Sequence, residues 1–477
     1  MTITESNHSS SIAINSNRPV AVMGLARSGL ATIRALKRGG SEVIAWDDNP
    51  DRQTAAADLG ATVSDLNTVD FAQVEDLILA PGIPLTHPKP HPVVVRAKEA
   101  GTEVIGDIEL FYRAQPAARH VGITGTNGKS TTTALIGHIL NQAQPEKPVQ
   151  VGGNIGTPVL DFREPDPREP VVLELSSYQL DLTQNAIFSI ACLLNMTPDH
   201  LDRHGGMEGY IAAKKRIFRR GAMPQHAVIG IDSAPTVTIA GELEKAGHWK
   251  VTRISSEGRV DGGVYVLNGV LYDDLDGFDE AICDLMPIET LPGYHNWQNA
   301  AAAYACCRHL GLDGETIAEG LASFPGLAHR QQIVGRYKRI TFVNDSKATN
   351  ADAASKALGS YKRILWIAGG VAKDGGLNGL EKLMDRVRHA YLIGEAANDF
   401  AGWCDGKCEY SLCHTMDKAV SEATALAVKE RKESVILLSP ACASFDQLES
   451  FEQRGAVFAA TVEDVIRTRQ QMLEAQQ

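Results

Sequence analysis

The chain has 477 residues and a formal net charge of −12, with 44% hydrophobic and 22% charged residues. This composition is that of a globular protein, and at about 100–200 residues per domain the length predicts two to four domains, with three expected. The negative balance argues against a uniformly basic nucleic-acid binder, so an anionic ligand must be held by local cationic groups. The longest apolar run, Ala300 to Cys307, is far shorter than the roughly 20 residues of a membrane span. No nucleic-acid partner and no membrane insertion are therefore expected.

The first 18 residues are polar and rich in Ser and Asn. They contain neither a basic segment nor an apolar segment of the kind found in secretion signals, so residues 1–18 are predicted to be a disordered tail. The eight cysteines are scattered and form no CxxC pair, which argues against a zinc site or a disulfide framework. A cytoplasmic location is expected.

Residues 19–113 alternate strand and helix signals, which predicts a parallel sheet with covering helices. Strands are predicted at Pro19–Gly24, Glu42–Trp46 and Asp76–Leu79, and a helix at Leu30–Arg38. The first strand runs into Gly24-Leu-Ala-Arg27-Ser28-Gly29, and Asp47 ends the second strand. The loop resembles a dinucleotide-binding fingerprint in which Ala replaces the middle Gly. Taken alone, it is compatible with a structural turn or with a dehydrogenase.

The same alternation continues through residues 114–326 and starts again in residues 327–477. Strands are predicted at His120–Thr124, Val171–Leu175 and Ile190–Asn195, and then at Arg339–Val343, Arg363–Ala368, Ala390–Ile393 and Ser434–Leu438. The predicted fold is therefore α/β, with three consecutive domains that each contain a mostly parallel Rossmann-like sheet. Ligands of such sheets bind at the carboxyl ends of the strands.

A glycine-rich segment between a strand and an apolar-periodic helix predicts a phosphate loop in the central domain. It reads Gly122-Ile-Thr-Gly125-Thr-Asn-Gly128-Lys129-Ser130-Thr131. Glycines let backbone N–H groups approach phosphate oxygens, and the following helix N-terminus adds positive potential. Lys129 is expected to neutralise the outer phosphates and Ser130 to bind Mg²⁺. Ile123 departs from the usual pattern, which has Gly at that position.

Two further segments place titratable groups at strand ends. Glu174 ends a predicted strand, where a carboxylate suits a second contact to Mg²⁺; a solvated glutamate is the alternative. The loop from Asn195 to His204 contains Asp199, His200 and Asp202 close together. Such a density of titratable groups is typical of functional loops, although single members can be ion-pair partners.

Taken together, these motifs resemble the ATP-dependent Mur ligases, which build the peptide stem of peptidoglycan. The resemblance rests on the phosphate loop, Glu174-Leu-Ser-Ser, Asp199-His-Leu-Asp-Arg and Gly293-Tyr-His-Asn-Trp-Gln-Asn299, and it runs from about residue 20 to 460. Three later stretches are similar to the D-glutamate-adding branch: Asn344-Asp-Ser-Lys-Ala-Thr-Asn, Ser439-Pro-Ala-Cys-Ala-Ser-Phe-Asp-Gln and Phe451-Glu-Gln-Arg-Gly.

The resemblance implies a C–N bond-forming ligase that uses ATP and Mg²⁺ and releases ADP and phosphate. D-Glutamate would be added to UDP-N-acetylmuramoyl-L-alanine through an acyl phosphate intermediate. The first domain would bind the UDP sugar, the second ATP and the third the amino acid. A monomer is expected.

The resemblance also implies a set of site residues. The catalytic residues would be Lys129, Glu174, His200 and Lys214. The Mg²⁺ ligands would be Ser130, Glu174, His200 and Lys214, with Lys214 of Tyr210-Ile-Ala-Ala-Lys214 carrying a carbamate; the adjacent Lys215 is the alternative carrier. ATP would contact Gly125, Thr126, Asn127, Gly128, Lys129, Ser130, Thr131, Asn299, Arg330 and Asp345. The UDP sugar would contact Arg27, Ser28, Asp47, Asn154 and His200, and D-glutamate would contact Thr349, Lys373, Ser444 and Phe451.

Rival functions remain at this point. A folylpolyglutamate-type ligase shares the phosphate loop and adds glutamate, but its match to the last three stretches is poor. A nucleotide-dependent oxidoreductase rests on the first-domain loop alone. A phosphate-loop switch without ligase activity would bind nucleotide and consume no amino acid.

Overall fold

The computed structural model describes residues 11–222, 224–373 and 375–474 and contains three mostly parallel sheets. Helices alternate with the strands along the chain. The predicted α/β class is therefore confirmed. The chain divides into two compact units, one formed by residues up to Met286 with Asn296–Ser323 and the other by Pro287–His295 with Phe324 onward.

The first sheet has five parallel strands in the order β3-β2-β1-β4-β5. The strands are β1 (Val20–Met23), β2 (Val43–Trp46), β3 (Thr62–Val63), β4 (Asp76–Leu79) and β5 (Glu103–Ile105). The helices are α1 (Arg27–Arg38), α2 (Pro50–Asp58), α3 (Pro92–Glu99) and α4 (Asp107–Ala114). The strand order reverses between β1 and β4, which is where such sheets bind ligands.

The second sheet has nine strands in the order β14-β13-β12-β11-β10-β9-β6-β8-β7. Strands β6 to β12 pair in parallel, and β13 and β14 extend the sheet as an antiparallel arm. The strands are β6 (Arg119–Thr124), β7 (Gln150–Gly153), β8 (Pro170–Glu174), β9 (Ile190–Leu193), β10 (Gln225–Gly230), β11 (Trp249–Ser255), β12 (Val264–Leu267), β13 (Val270–Asp273) and β14 (Glu280–Asp284).

The helices of this part of the chain are α5 (Lys129–Ala143), α6 (Ser177–Asp181), α7 (Leu201–His204), α8 (Met207–Lys215), α9 (Ala234–Ala246), α10 (Tyr294–Leu310) and α11 (Gly314–Ala322).

The third sheet has the order β15-β16-β20-β17-β18-β19, and only its edge pair β15–β16 is antiparallel. The strands are β15 (Gln332–Tyr337), β16 (Ile340–Asn344), β17 (Ile364–Gly369), β18 (Val387–Ile393), β19 (Tyr410–His414) and β20 (Ser434–Leu438). The helices are α12 (Ala351–Ser360), α13 (Ala397–Cys404), α14 (Met416–Glu430) and α15 (Phe451–Glu474). Short 3₁₀ helices occur in the chain at Phe71–Gln73, Val159–Asp161, Arg216–Phe218 and Glu381–Arg386.

Continuous apolar runs form the central strands because helices cover both faces of these sheets. Every residue of β1, β9 and β17 is buried. Local signals define several helix starts: Asn49 caps α2 by accepting backbone N–H groups, and Asp313 caps α11 in the same way. No helix among the described residues is long and apolar enough to cross a bilayer.

Residues 11–18 differ from the predicted disordered tail. Ile12 is fully buried, and its N–H group donates to Phe162 O. Ile14 N–H donates to Ala35 O, so this segment packs along α1. Ile12 and Ile14 supply the packing, and these two apolar residues were not apparent from the polar composition of the segment. Residues 1–10 lie outside the described residues.

Candidate active site

The predicted phosphate loop joins the end of β6 to the start of α5. Gly128 precedes α5 with φ of +84°, in the left-handed region that favours glycine. A Cβ atom at Gly128 would lie 2.1 Å from Asn299 Oδ1. Asn299 is buried on α10 and donates from Nδ2 to Asn296 Oδ1 at 3.1 Å. Both the backbone and the neighbouring side chain therefore require glycine here.

The loop is held from the neighbouring strand end. Asn195 follows β9, and its Oδ1 accepts from Asn127 N at 2.9 Å while its Nδ2 donates to Asn127 O at 3.2 Å. Thr126 N donates to Asn195 O at 3.0 Å. The Thr126 hydroxyl lies 3.0 Å from Tyr210 OH. The sequence singled out the loop that contains Asn195 but did not assign Asn195 a role.

Two lysine side chains converge on one carbonyl of the loop. Lys129 Nζ donates to Gly125 O at 2.9 Å and to Thr126 O at 2.8 Å. Lys214 Nζ donates to Gly125 O at 2.9 Å and to Thr124 Oγ1 at 3.2 Å. Lys214 is 1% exposed. Burial lowers the pKa of Lys214 well below its usual value, and Lys129 lowers it further, while Asp199 and Glu174 oppose this shift.

Glu174 ends β8 beside the loop and is 1% exposed. Its Oε1 accepts from Asn154 Nδ2 at 2.8 Å, while its buried Oε2 has no hydrogen-bond partner among the described residues. A buried carboxylate oxygen without a partner is costly, and a cation removes that cost. The described residues contain no group of three or more His, Cys, Asp or Glu side chains that could hold a metal. Mg²⁺ would therefore need hydroxyl, water or phosphate oxygens as well, which is its usual mode of binding.

His200 lies at the start of α7 and is the most exposed of the predicted catalytic residues. Its backbone has φ of +53°. The centre of its ring lies 4.9 Å from the centre of the Tyr178 ring, and its Nε2 lies 3.4 Å from Asp199 Oδ2. Burial lowers the pKa of His200, and Lys129 and Lys214 lower it further, against the opposing effect of Asp199.

Apart from His200, the predicted UDP-sugar residues fall into two groups. Asn154 lies against Glu174, whereas Arg27, Ser28 and Asp47 surround the loop after β1. Asp47 Oδ2 accepts from Leu25 N at 2.6 Å, so it braces that loop. Burial alone would raise the pKa of Asp47, but backbone hydrogen bonds from Leu25 and Asn49 outweigh it and the pKa is lowered.

Arg27 donates from Nη2 to Gly156 O at 2.8 Å, in the segment that follows β7. Ser28 lines a cleft between the ends of β1 and β4 together with Gly24, Ala80 and Asp107. Asp107 is buried at the start of α4, and the sequence did not single it out. The cleft lies where the strand order of the first sheet reverses.

Arg330 and Asp345 belong to the second unit. Asp345 follows β16, and its carboxylate accepts from Ser439 Oγ at 2.8 Å and from Gln331 N at 3.2 Å. Burial raises the pKa of Asp345 to about 7, with smaller opposing effects from these two hydrogen bonds and from Arg330. His329 and Gln331, on either side of Arg330, have φ of +61° and +46°, and left-handed backbone of this kind is often found at functional sites.

The predicted D-glutamate residues lie on loops of the same unit. Thr349 precedes α12, Lys373 is exposed after β17, Ser444 is buried after β20, and Phe451 begins α15. Lys347 Nζ lies 3.7 Å from the centre of the Phe451 ring.

Arg454 connects the segments that carry these side chains. It is 3% exposed, and it donates from Nε to Ser346 Oγ at 2.9 Å and from Nη2 to Cys442 O at 2.9 Å. Ser346 Oγ in turn donates to Phe451 O at 2.8 Å. Arg454 Nη1 is buried without a hydrogen-bond partner among the described residues, and burial lowers the pKa of Arg454 to about 10. Arg454 belongs to the Phe451-Glu-Gln-Arg-Gly stretch that carries the resemblance, but the sequence analysis assigned it no role.

Comparison with known proteins identifies the family. The Mur ligase middle domain matches residues 123–307, and the Mur ligase, glutamate ligase domain matches residues 329–442. A relative from Caulobacter sp. (strain K31), named UDP-N-acetylmuramoylalanine--D-glutamate ligase, is 51% identical over 451 residues, which cover 93% of this chain and 96% of the relative. The chain belongs to the Mur ligase family. A relative of the same name from Rhodospirillum rubrum is 50% identical over 457 residues, covering 94% of this chain and 95% of the relative.

Solved structures of Mur ligases share the fold at lower identity. UDP-N-acetylmuramate-alanine ligase MurC from Thermotoga maritima has a TM-score of 0.56 at 16% identity and covers 94% of this chain and all of its own. MurF from Acinetobacter baumannii has a TM-score of 0.56 at 18% identity, covering 88% of this chain and 91% of its own. The predicted membership of the Mur ligase family is confirmed.

Proposed function

We propose that this Mur ligase joins D-glutamate to UDP-N-acetylmuramoyl-L-alanine at the expense of ATP, in peptidoglycan precursor synthesis. The observation that carries the proposal is the 51% identity, over 93% of the chain, to a relative named for that reaction. The reaction forms a C–N bond and releases ADP and phosphate.

The site geometry supports activation of a carboxylate by phosphoryl transfer. The γ-phosphoryl group of ATP would pass to the substrate carboxylate, and the amine of D-glutamate would attack the resulting acyl phosphate and expel phosphate. Both steps concentrate negative charge, which positioned cations stabilise. Lys129 donates from Nζ to Gly125 O at 2.9 Å and to Thr126 O at 2.8 Å in the loop, which places positive potential beside the phosphates.

The residues present fit a divalent cation. Glu174 Oε2 is a buried carboxylate oxygen with an unused acceptor site among the described residues, and the Ser130 hydroxyl lies at the start of α5 in the same loop region. Mg²⁺ would bind Glu174 and Ser130 and would neutralise charge on the transferring phosphoryl group. His200 would serve a second ion.

Lys214 is proposed to carry the predicted carbamate. The neutral amine of Lys214 would attack CO₂, forming an N–C bond and releasing one proton, which converts the side chain to an anionic oxygen ligand. The lowered pKa of Lys214 favours the neutral amine that this step requires. An anion there would also remove the repulsion between two lysines that contact the same carbonyl.

The other substrates are assigned to the remaining predicted residues. Arg27, Ser28, Asp47, Asn154 and His200 are proposed for the UDP sugar. Asn299, Arg330 and Asp345 are proposed for the nucleotide, together with Gly125–Thr131. Thr349, Lys373, Ser444 and Phe451 are proposed for D-glutamate, whose two carboxylates require cations and N–H donors. The cytoplasmic location and the monomeric state stay predictions.

A phosphate-release assay with defined substrates tests the function. We expect release that requires ATP, Mg²⁺, UDP-N-acetylmuramoyl-L-alanine and D-glutamate together, and little release with L-glutamate because inversion at the α-carbon misplaces the amine or a carboxylate. Lys129→Ala should abolish release in a folded protein. Turnover with a folate in place of the UDP sugar would favour a folylpolyglutamate-type ligase, and near-normal release by Lys129→Ala would refute the role of the loop.

A further inference from the structure

A continuous chain of side-chain hydrogen bonds leads away from the phosphate loop. Asn195 Nδ2, which also holds Asn127, donates to Gln298 Oε1 at 3.0 Å. Gln298 Nε2 donates to Asp232 Oδ2 at 2.8 Å. The chain therefore runs from Asp232 through Gln298 and Asn195 to the backbone of Asn127.

The chain is anchored on three different elements of the central domain. Asn195 follows β9, Asp232 follows β10, and Gln298 projects from α10. Asp232 is itself fixed, because its carboxylate also accepts from Ser255 Oγ at 2.5 Å and from Ser256 N at 3.0 Å. Gln298 is buried, so water does not compete for the hydrogen bonds that orient its side-chain amide.

The carboxylate determines the direction of every bond in the chain. An ionised carboxylate only accepts hydrogen bonds, so Gln298 must turn its NH₂ group toward Asp232 and its oxygen toward Asn195. Asn195 then presents its NH₂ group to Gln298 Oε1 and its oxygen to Asn127 N. The N–H group and the carbonyl oxygen of Asn127 both have a matching partner in this orientation.

We propose that Gln298 is a positioning residue that orients Asn195 and so holds the phosphate loop in the conformation that binds nucleotide. The inference rests on the proposed function in taking Gly125–Thr131 as the nucleotide loop. Gln298 does not contact the nucleotide in this account. Its effect is transmitted through the Asn195 amide to the backbone of Asn127, which lies within the loop between Thr126 and Gly128.

The test compares Gln298→Leu with Gln225→Leu in the full chain. Gln225 is a matched control because it is also buried and makes three hydrogen bonds, to Phe188 O, Arg219 O and Gly221 N. It lies at the start of β10, the opposite end of that strand from Asp232. ADP affinity is measured by calorimetry, KM values by phosphate release, and folding by thermal melting.

Gln298→Leu is expected to weaken ADP binding and to raise KM for ATP by about 5- to 30-fold, because one or two buried hydrogen bonds are lost. The KM for D-glutamate should change less than about twofold. Gln225→Leu should lower the melting temperature without changing ADP affinity. Gln298→Met keeps the side-chain length but has no N–H group to donate to Asp232, so it should weaken ADP binding about as much.

Unchanged ADP affinity in folded Gln298→Leu would overturn the inference, as would equal losses in Gln298→Leu and Gln225→Leu. If Gln298→Leu does not fold, the result for Gln298→Met decides: normal ADP affinity overturns the inference and weakened affinity supports it. ADP binding requires no other substrate, so a wild-type protein that binds ADP but adds no D-glutamate would contradict the proposed function and leave this test intact.

Discussion

Gly128→Ala is expected to disrupt nucleotide binding more than stability. At φ of +84° a residue with a Cβ atom is disfavoured by about 1–2 kcal/mol. The new Cβ would also lie 2.1 Å from Asn299 Oδ1, so the Asn299 side chain must move. Asn299 is buried and bonded to Asn296 and Thr132, and losing one or two such bonds costs about 0.5–1.5 kcal/mol each.

The summed cost of Gly128→Ala is about 1.5–5 kcal/mol. If the loop leaves its binding conformation to avoid this cost, ADP affinity falls by about 10- to 5,000-fold. Calorimetric titration with ADP measures this loss directly, and thermal melting measures how much of the cost reaches the whole fold.

Gly40→Ala is the matched control. Gly40 has φ of +81°, but a Cβ atom there would have no other atom within 4 Å. It should show the backbone cost alone, about 1–2 kcal/mol of stability, with normal ADP affinity. If Gly128→Ala binds ADP within about threefold of wild type, corresponding to less than 1 kcal/mol, the steric argument for the loop is wrong.

Three further changes test other parts of the site. Lys214→Ala should be nearly inactive and partly rescued by small carboxylic acids that replace the carbamate oxygens, whereas Lys215→Ala should remain active; strong inactivation by Lys215→Ala alone would move the carbamate by one residue. Arg454→Ala should raise KM for D-glutamate at least about tenfold, the effect of losing charged hydrogen bonds, with KM for ATP nearly unchanged; equal increases in both KM values would contradict its assignment to the amino-acid site. Burial raises the pKa of Asp107 from 3.8 to about 6, so unfolding releases a proton between these values and wild-type stability falls as pH rises. The free energy of unfolding of Asp107→Asn should therefore exceed that of wild type by about 1–3 kcal/mol between pH 4 and 6. Denaturant titrations measure this difference, and a difference that shrinks as the pH rises would refute the predicted direction.

Strand positions could be predicted closely because buried parallel strands are short apolar runs with clear ends. Asp76–Leu79 and Ser434–Leu438 are observed with the predicted bounds, and Ile190–Asn195 is observed as Ile190–Leu193. Helix starts were less clear. Helix α1 begins at Arg27 rather than Leu30, because the first turn is polar and carries no capping side chain to mark it.

Contacts between distant segments were not predictable from local patterns. Gln298 and Asp232 are 66 residues apart, and Arg454 and Ser346 are 108 apart. Nothing in the residues around Gln298 indicates that it faces the end of β10, since that depends on strand order in the nine-stranded sheet. The unpartnered oxygen of Glu174 was likewise beyond sequence reasoning, although the residue itself was identified by its place at a strand end.

Transfer of oxygen from the substrate carboxylate to phosphate tests the central claim most directly. The substrate is UDP-N-acetylmuramoyl-L-alanine labelled with ¹⁸O in both oxygens of the alanyl carboxylate. It is incubated with the wild-type protein, ATP, Mg²⁺ and D-glutamate, and the masses of the products are measured by mass spectrometry. An acyl phosphate intermediate requires one ¹⁸O atom in the released phosphate for each amide bond formed, together with ADP. Formation of the amide with unlabelled phosphate, or with AMP and pyrophosphate, would contradict the account.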